Sequence, residues 1–346
     1  MFAANGFALV NDDLTNRTSS AAAVADPAVD ASVATEAAGH DACPACGSAS
    51  YATMLSPRCA SGERTLVSCA RCGFLRYLGE PHSEGQCAFS SFFLRRVAAS
   101  TVAGRLLEGF RALAAMGPVR FVLHGSRKLR TRERILVADT LDGTFSRSLQ
   151  RGGVRCIALV RTLEGAAHAT HRQGVDAVVT RGGTLPLLPG AVDTVVRMRG
   201  FSGELDPVEW LMQAGRQIRP QGRLVLQVFD CASWAFLLSG ARWVGLVPSE
   251  GLFAYRAEDL EVLLDLCGLR IVRRSHFFPL LNACAWASSI VPRLNVIRPN
   301  WSTQAPPRLG HVLGYLSCVA ALLPVALAES LCHAGSVMML EVERKR

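Results

Sequence analysis

The sequence is poor in charge and lacks two patterns that would point to particular partners or architectures. Only 19% of its 346 residues are charged and 50% are hydrophobic, which predicts a globular chain with one main domain and a smaller one. It contains no internal repeat. Because no run of basic residues is interleaved with aromatic residues, the formal net charge of +9 does not predict a nucleic-acid partner. A generally basic surface accounts for the charge equally well.

A secretory signal is also missing from the N-terminal residues. Met1 to Gly6 include neither the basic segment nor the continuous apolar segment that such a signal needs. The twelve cysteines are spread over a long chain rather than concentrated in a small domain, and two pairs have the spacing of metal ligands. We therefore expect a cytoplasmic protein whose thiols are reduced.

Long apolar runs are few, and they lie near the C-terminus. The run from Val312 to Ala328 carries no charge and approaches the length of about 20 residues that crosses a bilayer. It contains Pro324, and the companion run from Phe277 to Val291 is too short to span. We expect buried or capping helices here, with membrane contact through residues 277–330 as the alternative.

Composition divides the chain into five parts. Residues 1–40 have few large apolar side chains and are predicted to be a disordered tail. A cysteine-spaced segment follows at 41–88, and a helical linker is predicted at 89–130 because apolar residues recur at steps of three and four from Phe89 to Met116. The main domain then covers 131–276. An apolar helical insertion or cap and a final strand occupy 277–346.

Short apolar runs alternate with helical patterns in the main domain. Because parallel strands need a crossover helix to return the chain, this alternation predicts a Rossmann-like α/β fold with a doubly wound, mostly parallel sheet. Two later runs, Leu269 to Val272 and Val337 to Val342, could complete the sheet after a helix at 257–266. The earlier predicted strands are Ile135 to Ala138, Cys156 to Val160, Ala177 to Val179, Thr194 to Val196 and Leu224 to Val228.

The clearest chemical signal is a pair of CxxC knuckles, each followed by glycine. Cys43 and Cys46 form the first, and Cys69 and Cys72 form the second. Two cysteines three apart in a tight turn can bind one ion, and two such turns complete a tetrahedral thiolate site for Zn²⁺. Four thiolate ligands leave no open position for water, so we predict a structural zinc ribbon. Four unliganded thiols and a redox pair are the alternatives.

Three further motifs, together with this ribbon, resemble class I S-adenosylmethionine (SAM) dependent methyltransferases that carry an N-terminal zinc-binding domain. The first runs from Leu185 through Asp193 and is similar to the stretch that enters the family's fourth strand. The second, from Asp206 to Leu226, contains Arg219-Pro-Gln-Gly222 and is similar to the family's RPGG-like turn before the fifth strand. We expect this turn to stop the helix, with glycine accepting a positive φ. The third comprises Trp243 and the segment from Phe253 to Gly268.

The resemblance places the cofactor loop after the first strand of the main domain. The segment from Val137 to Ser146 keeps Asp139 and Gly143, whereas Leu141 and Phe145 stand where the family has glycines. We expect each of these two to add bulk against the cofactor. The second strand is followed by Arg161, where the family has an acid for the ribose hydroxyls. The cofactor-binding residues that the resemblance implies are Asp139, Leu141, Asp142, Gly143, Arg161 and Asp193.

Arginines also follow the third and fourth predicted strands, at Arg181, Arg197 and Arg199. If they face the crevice, they would favour an anion over the positively charged sulfonium of SAM. If they are solvated loop residues, they have no such effect.

These residues lead to two functional hypotheses. The first is a SAM-dependent methyltransferase, or a divergent member of the family, that acts on a small-molecule or carbohydrate acceptor. The second is a catalytically inactive scaffold that binds a partner or an anionic ligand. The sequence assigns no catalytic base among His124, His168, His171 and His276, and it assigns no oligomeric state.

Overall fold

A computed structural model describes eleven stretches of the chain. For residues 58–59, 62–63 and 139–140 it describes the backbone only, and the predicted tail at 1–40 lies outside the described residues. The stretches are 42–56, 58–59, 62–78, 101–125, 133–140, 143–160, 162–180, 188–198, 201–246, 251–296 and 308–345.

The main domain is built on a seven-stranded sheet whose strand order is β12-β13-β10-β9-β6-β7-β8. Five strands, from β10 to β8 in this order, run parallel to one another, and β13 runs antiparallel to both of its neighbours. The predicted α/β, doubly wound, mostly parallel sheet is confirmed, and all seven predicted strands are present. They are β6 (Arg134–Thr140), β7 (Arg155–Val160), β8 (Asp176–Val179), β9 (Val192–Arg197), β10 (Ile218–Phe229), β12 (Leu269–Ser275) and β13 (Val337–Arg344).

Helices cover both faces of this sheet because its strands are apolar on both sides. In β6, Ile135 and Val137 belong to one core, while Leu136 and Ala138 belong to the other. Successive side chains of a strand point to opposite faces, so a run without polar residues must be covered twice. The first core contains residues of α1 (Val102–Leu123), α2 (Thr144–Gln150), α5 (Trp234–Ser239), α7 (Pro279–Ile290) and α8 (Leu309–Leu331). The second contains residues of α4 (Pro207–Gln217) and α6 (Ala257–Leu266). A short α3 (Leu163–Ala167) continues into a π-helical turn, His168–Gln173.

The Arg-Pro-Gln-Gly segment does stop helix α4, but not in the predicted way. The helix begins at Pro207 with Asp206 as its cap, and it ends at Gln217. β10 then starts at once, so Arg219 to Gly222 are extended residues of that strand, and Gly222 does not have a positive φ. A Cβ at Gly222 would lie 2.5 Å from the carbonyl oxygen of Asp193. Close strand approach, rather than a left-handed turn, is what requires glycine here.

Helix α1 overlaps the segment that periodicity predicts to be helical and extends beyond its C-terminal end. It starts at Val102, where the Thr101 side chain caps the amide of Gly104, and it continues through Pro118 to Leu123. Residues 89–100 of the predicted helix lie outside the described residues. Leu107 and Val122 are buried in the first core, so α1 packs against the main domain.

Two arginines from the sheet bind the C-terminal end of α1. Arg223 donates to the carbonyl of Val122 at 2.7 Å, and Arg273 donates to the carbonyls of Phe121 and His124. Both guanidinium groups also contact the fully buried carboxylate of Glu341, at 3.1 and 2.9 Å. The orphan carbonyls of the helix end and the buried carboxylate are thereby satisfied by the same two cations.

The cysteine-spaced segment forms a second sheet, whose fourth strand comes from the main domain. Its order is β1-β4-β5-β11, with every pairing antiparallel. The strand β11 (Phe253–Ala254) lies almost 180 residues after its partner β5 (Leu75–Tyr77). The remaining strands of this sheet are β1 (Tyr51–Leu55) and β4 (Leu66–Cys69). A separate hairpin is formed by β2 (Arg58–Cys59) and β3 (Gly62–Glu63). The predicted ribbon is therefore joined to the main domain by backbone pairing.

The apolar C-terminal region consists of helices α7 and α8 packed on each other. Helix α7 is buried along nearly its whole length, and the Tyr315 hydroxyl of α8 hydrogen-bonds to Ser288 of α7 at 3.0 Å. Among the described residues, α8 is the one helix long and apolar enough to cross a membrane by length and composition. Only 22% of its most apolar stretch is buried.

Glu329 joins α8 to its neighbours in the first core. It accepts hydrogen bonds from the indole of Trp286 at 2.9 Å and from the amide of Ala235 at 3.2 Å. Burial raises the pKa of this carboxyl to about 7, although both hydrogen bonds act to lower it. The protonated form is therefore favoured in the folded chain relative to the unfolded one.

We predict that Glu341→Gln lowers the free energy of unfolding by about 3–5 kcal/mol, because it leaves two arginines without their carboxylate. Urea unfolding monitored by circular dichroism measures the loss. Glu261→Gln, at an exposed position of α6, is the control and should change stability by no more than about 0.5 kcal/mol. Equal stability of the two variants would contradict the role of Glu341.

The raised pKa of Glu329 predicts a pH-dependent contribution to stability. The contribution is fully present below the ordinary pKa of 4.5 and is lost as the pH rises through the folded value of about 7. The wild type should therefore lose about 2–3 kcal/mol relative to Glu329→Gln between pH 4.5 and pH 8. Paired urea titrations of both proteins measure the difference, in which the effects of other groups cancel. A difference that is independent of pH would refute the shift.

Candidate functional site

The four knuckle cysteines come together as one thiol cluster. Their Sγ atoms all lie within 4.8 Å of one another. The Sγ atoms of Cys43 and Cys72 are 3.5 Å apart, and those of Cys46 and Cys69 are 3.6 Å apart. A tetrahedral zinc site with Zn–S bonds of about 2.3 Å separates its sulfurs by about 3.8 Å. The cluster therefore fits Zn²⁺ with all four positions filled by cysteine.

Each knuckle is closed by the glycine that follows its second cysteine. The amide of Gly47 donates to the carbonyl of Cys43, and the amide of Gly73 donates to the carbonyl of Cys69, both at 2.8 Å. Both glycines have a left-handed backbone, with φ of 74° and 76°. Any other residue would be strained there. The spacing CxxCG is thus required by the turn as well as by the metal.

The surroundings of the cluster affect its thiols differently. Burial raises the pKa of Cys43. Burial also acts to raise the pKa of Cys69, but hydrogen bonds from the backbone of Cys72 and Arg71 lower it to about 7. Peptide N–H groups directed at sulfur favour the thiolate, the form that binds metal.

Aromatic rings connect the cluster to the main domain. Phe74, two residues after Cys72, packs against Phe253 and Tyr255 with ring centroids 5.7 and 5.9 Å away. Arg256 donates to the carbonyl of Gly73 at 3.0 Å. The second knuckle therefore lies directly on the segment that follows strand β11.

The carboxyl ends of the parallel strands form the edge where a nucleotide-like ligand is expected. Gly143 lies at this edge, buried, with φ of 75°, at the start of α2. A Cβ on it would lie 2.8 Å from the Cβ of Ala169 in the π-helical turn. The missing side chain therefore lets two pieces of the protein approach each other closely, and any contact of Gly143 with a ligand must use its backbone.

The remaining predicted loop residues are only partly within the described structure. Asp139 is in β6, near its carboxyl end, with its backbone alone described. Leu141, Asp142 and Arg161 lie outside the described residues. Phe145 is buried in the first core, and its expected effect on the cofactor stays a prediction.

Asp193 does not lie near the other predicted cofactor residues. It is the second residue of β9, at the amino end of the sheet. There it accepts from the amide of Arg134 at 2.9 Å and pairs with Arg219 at 2.7 Å. Because Gly143 is at the opposite edge, the expectation that Asp193 binds the cofactor is incorrect. Its carboxylate instead ties together the beginnings of three strands.

Arg197 ends β9 at the carboxyl edge and is neither solvated nor free to attract an anion. Its side chain is only 2% exposed and pairs with Glu204 at 2.7 Å. The guanidinium lies 4.4 Å from the ring centroid of Trp210 and 5.9 Å from that of Phe201. Its charge is thus compensated within the protein. Arg181 and Arg199 lie outside the described residues.

A buried Asp–His pair at the same edge went unrecognised in the sequence. Asp230 directly follows β10, and His276 directly follows β12. The Nε2 of His276 is 3.0 Å from an Asp230 carboxylate oxygen, and its buried Nδ1 has no hydrogen-bond partner among the described residues. A carboxylate at Nε2 favours the neutral tautomer that donates from Nε2, which leaves Nδ1 as a hydrogen-bond acceptor. The position of Asp230 at a strand's carboxyl end is the signal that could have identified it.

No protein-family model matches the chain, and no curated protein matches its sequence. Solved SAM-dependent methyltransferases are among the structures that it resembles. Geranyl diphosphate methyltransferase in complex with SAM shares 15% identity, with a TM-score of 0.43 over 71% of this chain and 92% of that one. The [4+2]-cyclase SpnF shares 16% identity, with a TM-score of 0.44 over 75% and 91%. A putative sarcosine dimethylglycine methyltransferase from Galdieria sulphuraria shares 10% identity, with a TM-score of 0.42 over 75% and 99%.

We predict that the purified chain holds one zinc ion and that a chelator lowers its melting temperature, because binding free energy at such a site is folding free energy. Cys46→Ser should lose most of the metal. Cys332→Ser, which replaces an exposed cysteine outside the cluster, should retain it. Elemental analysis and thermal melts with and without chelator measure both effects. Equal zinc content in the two variants would rule out the site.

Proposed function

We propose that the chain is a SAM-dependent methyltransferase, or a divergent member of that family, with a structural zinc ribbon. Its acceptor would be a small molecule or a carbohydrate, and its location cytoplasmic. The observation that carries the proposal is the position of the Gly143 turn. It follows β6, which lies between β7 and β9 in the sheet.

This position is the topological switch point of the sheet. After β6 the chain moves outward through β7 and β8 and then returns to add β9 and β10 on the other side. The helices that follow β6 and β9, α2 and α4, accordingly belong to the cores on opposite faces of the sheet. Ligands of open α/β sheets bind outside the carboxyl ends of the strands at such a switch point.

The residues proposed to bind the cofactor are those that resemblance assigns to this edge. Asp139 would orient the amino group of SAM, and the backbone of Gly143 would contact its methionine part. Leu141 and Asp142 complete the loop, and Arg161 follows β7 at the neighbouring strand end. SAM supplies an activated methyl group, and the protein would contribute positioning of the acceptor and removal of its proton.

The second candidate, a catalytically inactive scaffold, is favoured by two observations at the same edge. Ala169 occupies the space next to Gly143, because its Cβ lies 2.8 Å from the position of a Cβ on that glycine. In the sequence, Arg161 stands where the family has a ribose-binding acid. The sulfonium of SAM is itself positive, so an arginine close to it costs binding free energy. In this case the fold and the zinc ribbon would present a surface to a partner or an anionic ligand.

The zinc ribbon has a structural role in either case. All four ligand positions are cysteines, so no coordination site is left for water or substrate. The metal would instead hold the knuckle of Cys69 and Cys72 against Phe253 and Tyr255, and so fix the segment that leads into helix α6.

Calorimetric titration with SAM distinguishes the two candidates. An enzyme should bind SAM with a dissociation constant in the micromolar range, about −8 kcal/mol. If only the Arg161→Asp variant binds SAM, the wild-type site does not hold the cofactor, and the result supports the inactive scaffold. Asp193→Asn is the matched control, because this carboxylate lies at the opposite edge and its loss should leave SAM affinity unchanged. Absence of binding by all three proteins would remove the cofactor proposal.

A further inference from the structure

Helix α8 presents a long apolar face that the rest of the described structure does not cover. Six of its large apolar side chains are between 38% and 63% exposed. No exposed residue of the helix is charged, although it is 23 residues long. Soluble monomers rarely leave such a contiguous surface open. The six side chains are those of Leu309, Leu313, Leu323, Val325, Leu327 and Leu331.

The start of helix α5 extends this surface at the carboxyl edge of the sheet. The amide of Trp234 donates to the carbonyl of Ala334, and that of Ala235 donates to Glu329, so the two helix ends are adjacent. Trp234, Leu237 and Leu238 are between 37% and 78% exposed. We call the exposed apolar residues of α8 together with these three the apolar face.

Positive charge borders the apolar face, and acidic residues are scarce in the C-terminal segment that contains helix α8. Between residues 266 and 340 the sequence contains one acidic residue, Glu329, which is buried and hydrogen-bonded. Arg308 is exposed at the first turn of α8, and Arg242 is exposed just after α5. Arg293 is exposed in a turn whose Leu294 side chain lies 3.7 Å from the Cβ position of Gly314. An apolar surface with a cationic border complements an anionic lipid headgroup layer.

The other face of α8 argues for a helix that lies on a bilayer rather than crossing it. Tyr315 hydrogen-bonds to helix α7, and Glu329 accepts from Trp286 of that helix. A spanning orientation would break these buried contacts. A second copy of the chain fits less well than lipid, because a two-fold interface packs this patch against itself, and residues 266–340, which include α8, offer no exposed acid to pair with the arginines.

We propose that the apolar face is a docking surface for the anionic surface of a lipid bilayer. The helices α5 and α8 insert their leucines and Trp234 at the level of the headgroups, and the arginines contact lipid phosphates. Docking in this way brings the carboxyl edge of the sheet close to the bilayer, because both helices meet there. The inference does not depend on SAM binding.

Cosedimentation of the full-length protein with two kinds of vesicle tests the proposal. One kind is pure phosphatidylcholine, and the other contains about one third phosphatidylglycerol. Each basic residue near an anionic surface contributes about 1 kcal/mol, so three arginines predict at least tenfold tighter binding to the anionic vesicles. Binding that is equal for both vesicles, or absent from both, would overturn the proposal.

Two sets of variants locate the surface. Leu313→Gln with Leu327→Gln, and separately Arg293→Gln with Arg308→Gln, should each weaken binding to anionic vesicles at least tenfold. Val262→Gln with Leu266→Gln, exposed positions of α6 on the other side of the sheet, should bind like the wild type. Circular dichroism and zinc content check that each variant is folded. If the α8 leucine pair dissociates a dimer in light scattering and leaves vesicle binding unchanged, the face is a self-interface and the proposal fails.

Discussion

The carboxylate of Glu341 is where the constraints on the main domain converge. It lies on the antiparallel strand β13, between β10 and β12, and it binds one arginine from each of these neighbours. The same arginines hold the carbonyls at the end of helix α1. A buried acid of this kind is unfavourable unless both oxygens are satisfied. Sheet register and the position of the covering helix are therefore fixed together: a slip of either would leave a charge unpaired in the interior.

Where side-chain periodicity carries the information, the sequence predicts the fold well. The seven strands are found because apolar runs such as Ile135 to Ala138 must be buried on both faces. The four-cysteine cluster could be predicted because each knuckle depends on a short turn that its own two cysteines and glycine determine. The start of helix α1 is harder to predict, since apolar spacing continues on both sides of Val102 and only the Thr101 cap marks it.

Long-range contacts explain the expectations that fail. Asp193 is one residue into its strand, and only the direction of that strand shows that its carboxylate lies at the edge opposite Gly143. Gly222 is needed because β9 passes close to it. Arg197 forms an ion pair with Glu204 and a cation–π contact with Trp210, both outside its own strand. His276 pairs with Asp230, which is 46 residues away in the sequence. Local sequence contains the residue types but not these pairings.

The pairing of strand β11 (Phe253–Ala254) with the ribbon means that the two parts of the chain cannot be separated cleanly. Removal of the ribbon would leave strand β11 without its hydrogen-bonding partner β5. It would also expose the rings of Phe253 and Tyr255, against which Phe74 packs. A graft of the ribbon onto another protein would lack its fourth strand. The ribbon and the α/β domain therefore form one structural unit, and loss of a bound metal would disturb the pairing of β5 with β11.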